Sequence, residues 1–281
     1  MRKYFSAYLL LISFSQTTFS DSFTYNSFNN HGGIGLINMP TARFYDESSY
    51  GLALYNGDLD QKITMTSFPY DWMEASFFYM NIEDDQICRS NAFGQIFCQG
   101  YKDKGFNFKL RVKEEGVFPA IAIGINDIAG TGFYSSEYIV GSYGINNIDF
   151  HFGLSWGVLN GSKNSFKNPF GKISNQFYYR PDTLEENGGQ FQPSRYFSGE
   201  KTSPFLGISL ALNSKVLIKL ETDNTLTPGK IGHKRAKSDY SFGIDYAVNN
   251  NFTIGIANER NSYFSAKFVY KNNPKESIKK Y

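Results

Sequence analysis

The chain has 281 residues, with 28 Lys and Arg against 26 Asp and Glu, a formal charge of +2. Opposite charges are interspersed, which argues against a nucleic-acid-binding face. Aromatic residues make up 17% of the chain and Gly contributes 26 residues, yet mean hydropathy is −0.38. Apolar residues are therefore interleaved with polar ones, which excludes a helical membrane protein and leaves two-faced strands.

The chain opens with Arg2 and Lys3, an apolar run from Tyr8 to Phe14, and small residues at Thr18 and Ser20, the pattern of a secretory signal peptide over residues 1–20. Residues 21–49 form a segment that stays in the periplasm or enters a lumen as a plug.

From Tyr50 onward the periodicity is that of strands: Tyr50–Asn56, Asp60–Phe68, Trp72–Asn81, Lys104–Lys113, Phe118–Asn126, Phe133–Tyr143, Asn147–Leu159, Pro204–Asn213, Lys215–Asp223, Asp239–Val248, Asn251–Glu259 and Ser262–Lys271. No linker divides them, so one domain covers residues 50–271 and a basic tail covers 272–281. Tight connectors carry turn residues, as at Asn56-Gly57-Asp58 and Asn249-Asn250. The three long connectors, Ile82–Asp103, Asn160–Ser203 and Asn224–Ser238, all follow odd-numbered strands and leave by one end. An antiparallel transmembrane β-barrel of about twelve strands, with short periplasmic turns and long extracellular loops, has this asymmetry. Cys88 and Cys98 are the only cysteines. Both fall in the connector Ile82–Asp103, where a disulfide would tie an exported loop.

The two faces separate in most strands. Phe150, Phe152, Leu154, Trp156 and Val158 share one face, and Asp149, His151, Gly153, Ser155 and Gly157 the other. A soluble sandwich has the same period, but Phe and Tyr crowd the apolar face here and Tyr and Trp lie towards strand ends, which favours a lipid belt. The candidate lumen residues are Glu74, Lys109, Arg111, Lys113, Glu137, Asp149, His151, Lys219, Glu221, Asp245, Glu259 and Lys267. Mixed charges of this kind pair across strands, line a polar pathway, or do both.

Three blocks carry a family resemblance. Residues Gly32-Gly33-Ile34-Gly35-Leu36-Ile37-Asn38-Met39-Pro40-Thr41-Ala42-Arg43, Phe68-Pro69-Tyr70-Asp71-Trp72-Met73-Glu74-Ala75-Ser76, and Gly124 to Phe133 followed by Glu137-Tyr138 resemble, in the same order, the motifs of the YjbH/GfcD-like exopolysaccharide (capsule) biosynthesis outer-membrane family. The resemblance implies a non-enzymatic accessory in exopolysaccharide or capsule export or surface assembly. It also implies lipid of a Gram-negative outer membrane as surroundings, with polysaccharide and other proteins of the export locus as partners. Members are often longer, with a second barrel-like half.

Other chemistry has little support. Gly153-Leu154-Ser155-Trp156-Gly157 has the spacing of a hydrolase elbow but lies in a strand with no helix after it. His31, His151 and His233 are the only histidines, and His151 and Ser155 are separated by roughly 13 Å of extended strand. No cofactor or metal is expected. A general porin is the alternative function, and an outer-membrane hydrolase a weaker one.

Overall fold

The structure is a computed structural model that describes residues 27–181, 189, 191–226 and 236–275; the leader expected at 1–20, His233 and the end of the basic tail lie outside them. Twelve strands form one closed antiparallel barrel. They are β1 (Tyr50–Gly57), β2 (Gln61–Tyr70), β3 (Met73–Ser90), β4 (Ile96–Lys113), β5 (Ala120–Ile128), β6 (Ser136–Ile145), β7 (Ile148–Gly157), β9 (Lys201–Ala211), β10 (Val216–Thr222), β11 (Tyr240–Ala247), β12 (Phe252–Glu259) and β13 (Tyr263–Asn272). The two-residue β8 (Phe166–Lys167) sits in the long connector and pairs with the start of β9. Each strand pairs with its neighbours in sequence, and β1 pairs with β13, so no edge is left open.

Alternation sets which face is which. In β2 the outward residues Ile63 and Met65 are exposed while Lys62, Thr64 and Thr66 are buried. The outward set continues round the wall through Leu52, Leu54, Phe106, Leu110, Phe150, Phe152, Leu206, Ile208, Phe242, Ile254, Ile256, Phe264 and Phe268, all exposed. An apolar band that encircles a protein requires hydrocarbon around it, so the barrel is of the transmembrane type. At the end carrying the short turns, Tyr70 stacks on Trp72 at 5.1 Å and Tyr50 meets Tyr270 edge-on at 6.3 Å, as amphipathic rings do where lipid meets water. The turn Arg260-Asn261 closes β12 and β13 with both residues at φ 52°, the left-handed geometry that matches strand twist.

One connector differs from expectation. The segment Ile82–Asp103 is not a loop: β3 and β4 run on as a two-stranded ribbon beyond the apolar band, with a register shift between Ile82 and Gln86 and the turn at 91–95. Ile96, Phe97 and Cys98 are consecutive and all exposed, so both ribbon faces meet water and no alternation marks the strand. Cys88 and Cys98 are cross-strand partners and form the disulfide.

The interior is filled. Residues 27–44 lie inside the barrel, folded back on themselves through the bridges Phe28–Ile34 and Gly35–Pro40. Phe28, Ile34, Leu36 and Met39 pack against inward Ala53, Ala120, Ala122, Val140 and Val269. Small wall residues make the room. A Cβ on Gly207 would lie 2.1 Å from the Leu36 side chain, and one on Gly51 would lie 2.5 Å from the Phe28 ring. Gly32, at φ 81°, sits against Thr64 at the fold-back, where no side chain fits.

Candidate functional site

The candidate site is the polar wall that grips residues 27–44. Burying a bare strand-like segment leaves amides and carbonyls that need partners, and the wall supplies carboxyl and lysine side chains. Strand β10 aims Glu221 at the bend before Pro40, and its carboxylate accepts the amides of Ile37 at 2.9 Å, Asn38 at 2.8 Å and Met39 at 3.1 Å. The Asn38 side-chain amide donates to Asp223 and Glu259, each at 2.8 Å, and Asn30 donates to Glu259 at 2.9 Å. On the opposite wall Glu74 accepts the Ile34 amide at 3.1 Å.

Lysines hold the carbonyls. Lys109 donates to Ile34 and Arg43 carbonyls at 3.0 Å and pairs with Glu74 at 2.8 Å. Lys219 donates to the carbonyls of Gly35 at 2.9 Å and Leu36 at 2.8 Å while pairing with Asp245 at 2.9 Å. Lys267 reaches the Phe28 carbonyl and Asp245, and Ser27 donates to Asp245. Near the short-turn end Arg43 bonds Asp149 through Nε at 2.6 Å and pairs with Glu115. Three voids beside the segment are about 10 Å³ each, the room of one water.

His151 is buried between two hydroxyls, Ser142 at 2.8 Å and Ser209 at 3.2 Å. Ser142 Oγ accepts the Ala42 amide at 2.9 Å, and Asp149 is engaged by Arg43. Ser155 Oγ donates to the Leu159 carbonyl at 2.6 Å. Ser142 and Ser155 are sealed from solvent and held in backbone contacts, so neither of these two is poised as a nucleophile.

Of the residues expected in the lumen, Glu74, Lys109, Asp149, His151, Lys219, Glu221, Asp245, Glu259 and Lys267 are buried on the inward face. Arg111 also faces inward, half-buried near the short-turn end, its guanidinium 4.8 Å from the ring centre of Phe44 in the internal segment and paired with Glu114 at 3.2 Å. Two lie elsewhere. Lys113 is exposed at the very end of β4, its ammonium 4.3 Å from the Phe118 ring centre. Glu137 belongs to the outward face: it pairs across β7 with Trp156, whereas inward Tyr138 pairs with Ser155.

A carboxylate on the outward face is tolerable because the connector after β7 folds down over it. Arg180 makes a two-pronged bond to Glu137 at 2.7 and 2.9 Å, and the Phe197 amide adds a third at 3.0 Å. Trp156, also expected to face lipid, is instead covered by Phe170 at 5.5 Å and Phe197 at 5.2 Å. The connector thus lies against the outer wall at its rim.

The connector 129–135 closes part of the mouth. Its Tyr134 ring joins Phe78, Met80 and Ile82 in a second apolar cluster, which explains the apolar inward face of β3. The Tyr134 hydroxyl donates to Asp60 at 2.6 Å, and burial, then the Asp60 charge, hold its pKa well above the usual phenol value. Asp60 also pairs with Lys62 at 2.8 Å, and the Tyr134 amide donates to Asp127 at 2.9 Å.

Arg43, Lys62, Asp223, Ser142 and Arg180 were missed as partners. Arg43 and Asp223 had a usable signal: one stands in the family-like Pro-Thr-Ala-Arg block, the other in phase with Lys219 and Glu221. Arg180 had none.

A family model described as exopolysaccharide biosynthesis protein YbjH (YjbH) matches residues 27–280. The uncharacterized lipoprotein YjbH of Escherichia coli (strain K12) is 31% identical over 239 residues, which cover 84% of this chain and 34% of that protein. The chain therefore spans about a third of the length of this relative. Among solved structures, the KdgM porin aligns with a TM-score of 0.43 at 8% identity, covering 79% of this chain and 98% of that one. The NanC porin aligns with a TM-score of 0.38 at 10% identity, covering 80% and 98%.

Proposed function

The chain belongs to the YjbH family of exopolysaccharide biosynthesis proteins, and from that premise we propose that it is a plugged outer-membrane barrel. On this reading it acts without catalysis in exopolysaccharide or capsule export or surface assembly. The observation that carries it is that the family-like block Gly32–Arg43 is the segment gripped by Glu221, Glu74, Lys109 and Lys219 in the lumen. A motif spent on closing a barrel fits a conduit that opens under control better than a permanently open pore.

The outer membrane is the proposed location, because a closed strand wall with an apolar band needs a bilayer and an exported barrel is the known kind of solution. Polysaccharide and other proteins of an export locus are the proposed partners. Deletion of the gene should reduce surface polysaccharide, and the purified protein should stay silent in a planar bilayer. Normal polysaccharide in a clean deletion strain would overturn the role, and steady conductance of the intact protein would favour a general porin.

A further inference from the structure

Charges that grip residues 27–44 differ in what they keep when that segment is absent. Lys109 keeps Glu74 at 2.8 Å, and Lys219 and Lys267 keep Asp245 at 2.9 and 3.2 Å. All three pairs are wall to wall. The carboxylates are less well provided. Among the described residues Glu221 bonds only amides of the segment, and Glu259 bonds Asn30, Asn38 and the wall hydroxyls of Tyr55 and Ser265. Among the described residues no lysine or arginine forms an ion pair with either. Asp149 loses Arg43 and keeps His151, 3.8 Å away. Towards the mouth, Asp223 keeps Ser241 at 2.7 Å and the Arg260 guanidinium at 3.9 Å.

We propose that the lumen freed of residues 27–44 is a carboxylate-lined conduit for a non-anionic glycan rich in hydroxyl or amine donors, and that it rejects polyanionic glycans; this rests on the plugged-conduit reading above. The resident segment shows the chemistry the wall accepts. It is an extended chain whose grip on Glu221 and Glu259 is made by uncharged N–H donors, the part that sugar hydroxyls and amines can play, since an ionised carboxylate only accepts. Its carbonyls are served by Lys109, which keeps Glu74, and by Lys219 and Lys267, which share Asp245. A uronate entering this lumen would meet Glu221, Glu259 and Asp149, none of which keeps an ion pair with a wall lysine or arginine among the described residues, and like charge in a narrow, poorly solvated passage repels strongly.

The test uses two versions of the full chain in planar bilayers: one lacking residues 27–44, and one with Asn38→Ala and Arg43→Ala, which keeps every strand. Folding is checked by heat-modifiable migration. Under a KCl gradient the reversal potential should report a severalfold preference for the cation, lost on Glu221→Gln with Glu259→Gln. Glucosamine oligomers or neutral malto-oligomers should block the current, and an oligouronate at the same concentration should not. Anion selectivity, or block by the oligouronate alone, would overturn the inference and leave the conduit standing. Silence of both folded variants would overturn the conduit reading itself.

Discussion

Two buried carboxylates, Glu221 inside the barrel and Glu137 outside it, solve one problem in different ways. Both are essentially inaccessible, at 1% and 0% exposure, and each is stabilised by a chain segment that folds against the wall. Glu221 is matched by three neutral amides; Glu137 is matched by the Arg180 guanidinium. Amides satisfy hydrogen bonding without cancelling charge, whereas a bidentate guanidinium does both. The inner contact thus leaves negative charge behind when its segment departs, and the outer contact reads as a permanent clasp.

Perturbing each carboxylate separately sharpens the comparison. Glu221→Ala leaves three buried amides unpaired, a loss on the order of 3 to 9 kcal/mol at about 1–3 kcal/mol per orphaned group. Hydrogen exchange over residues 34–42 should accelerate markedly while the connector 158–200 keeps its protection. Unchanged exchange would mean that the segment is held by packing alone.

Glu137→Ala should cost about 3 kcal/mol, because it strands a mostly buried guanidinium, and the effect should stay outside. Limited proteolysis should then cut between residues 160 and 200, with the exchange of residues 34–42 unaltered. A coupled change in both regions would break the distinction drawn here. Gly207→Ala asks a packing question: its Cβ would collide with Leu36, so the inner segment should loosen by about 1–3 kcal/mol, seen as a modest rise in exchange at Leu36. The smallest effect is expected from Cys88→Ser with Cys98→Ser. The ribbon tip should become easier to cleave, and the thermal unfolding of the barrel should not shift.

The same two regions show where sequence reasoning worked and where it ran out. In β7 and β10 the alternation of Phe150 with Asp149, or of Leu220 with Glu221, marks both strand and face, since lipid on one side and packed polar groups on the other force a period of two. It failed where that asymmetry ends. The ribbon through Cys88 and Cys98 has water on both faces and lost its signal; Lys113 lies past the wall; Glu137 faces outward because cross-strand pairing of Tyr138 with Ser155 fixes the register. A charge pattern alone cannot reveal a covering connector. The grip of Glu221 on residues 37–39 joins positions more than 180 apart, a contact that closure of the barrel creates and no local pattern encodes.

The most direct test is a cysteine pair at Asn38 and Asp223, whose side chains touch at 2.8 Å, treated with a thiol cross-linker in the membrane-inserted protein. Bridged by a short bifunctional methanethiosulfonate, the pair should cross-link, and conductance should remain absent until a reductant is added to a variant that also carries Arg43→Ala. Failure to cross-link in the folded barrel, or full conductance with the cross-link in place, would contradict closure of the lumen by residues 27–44.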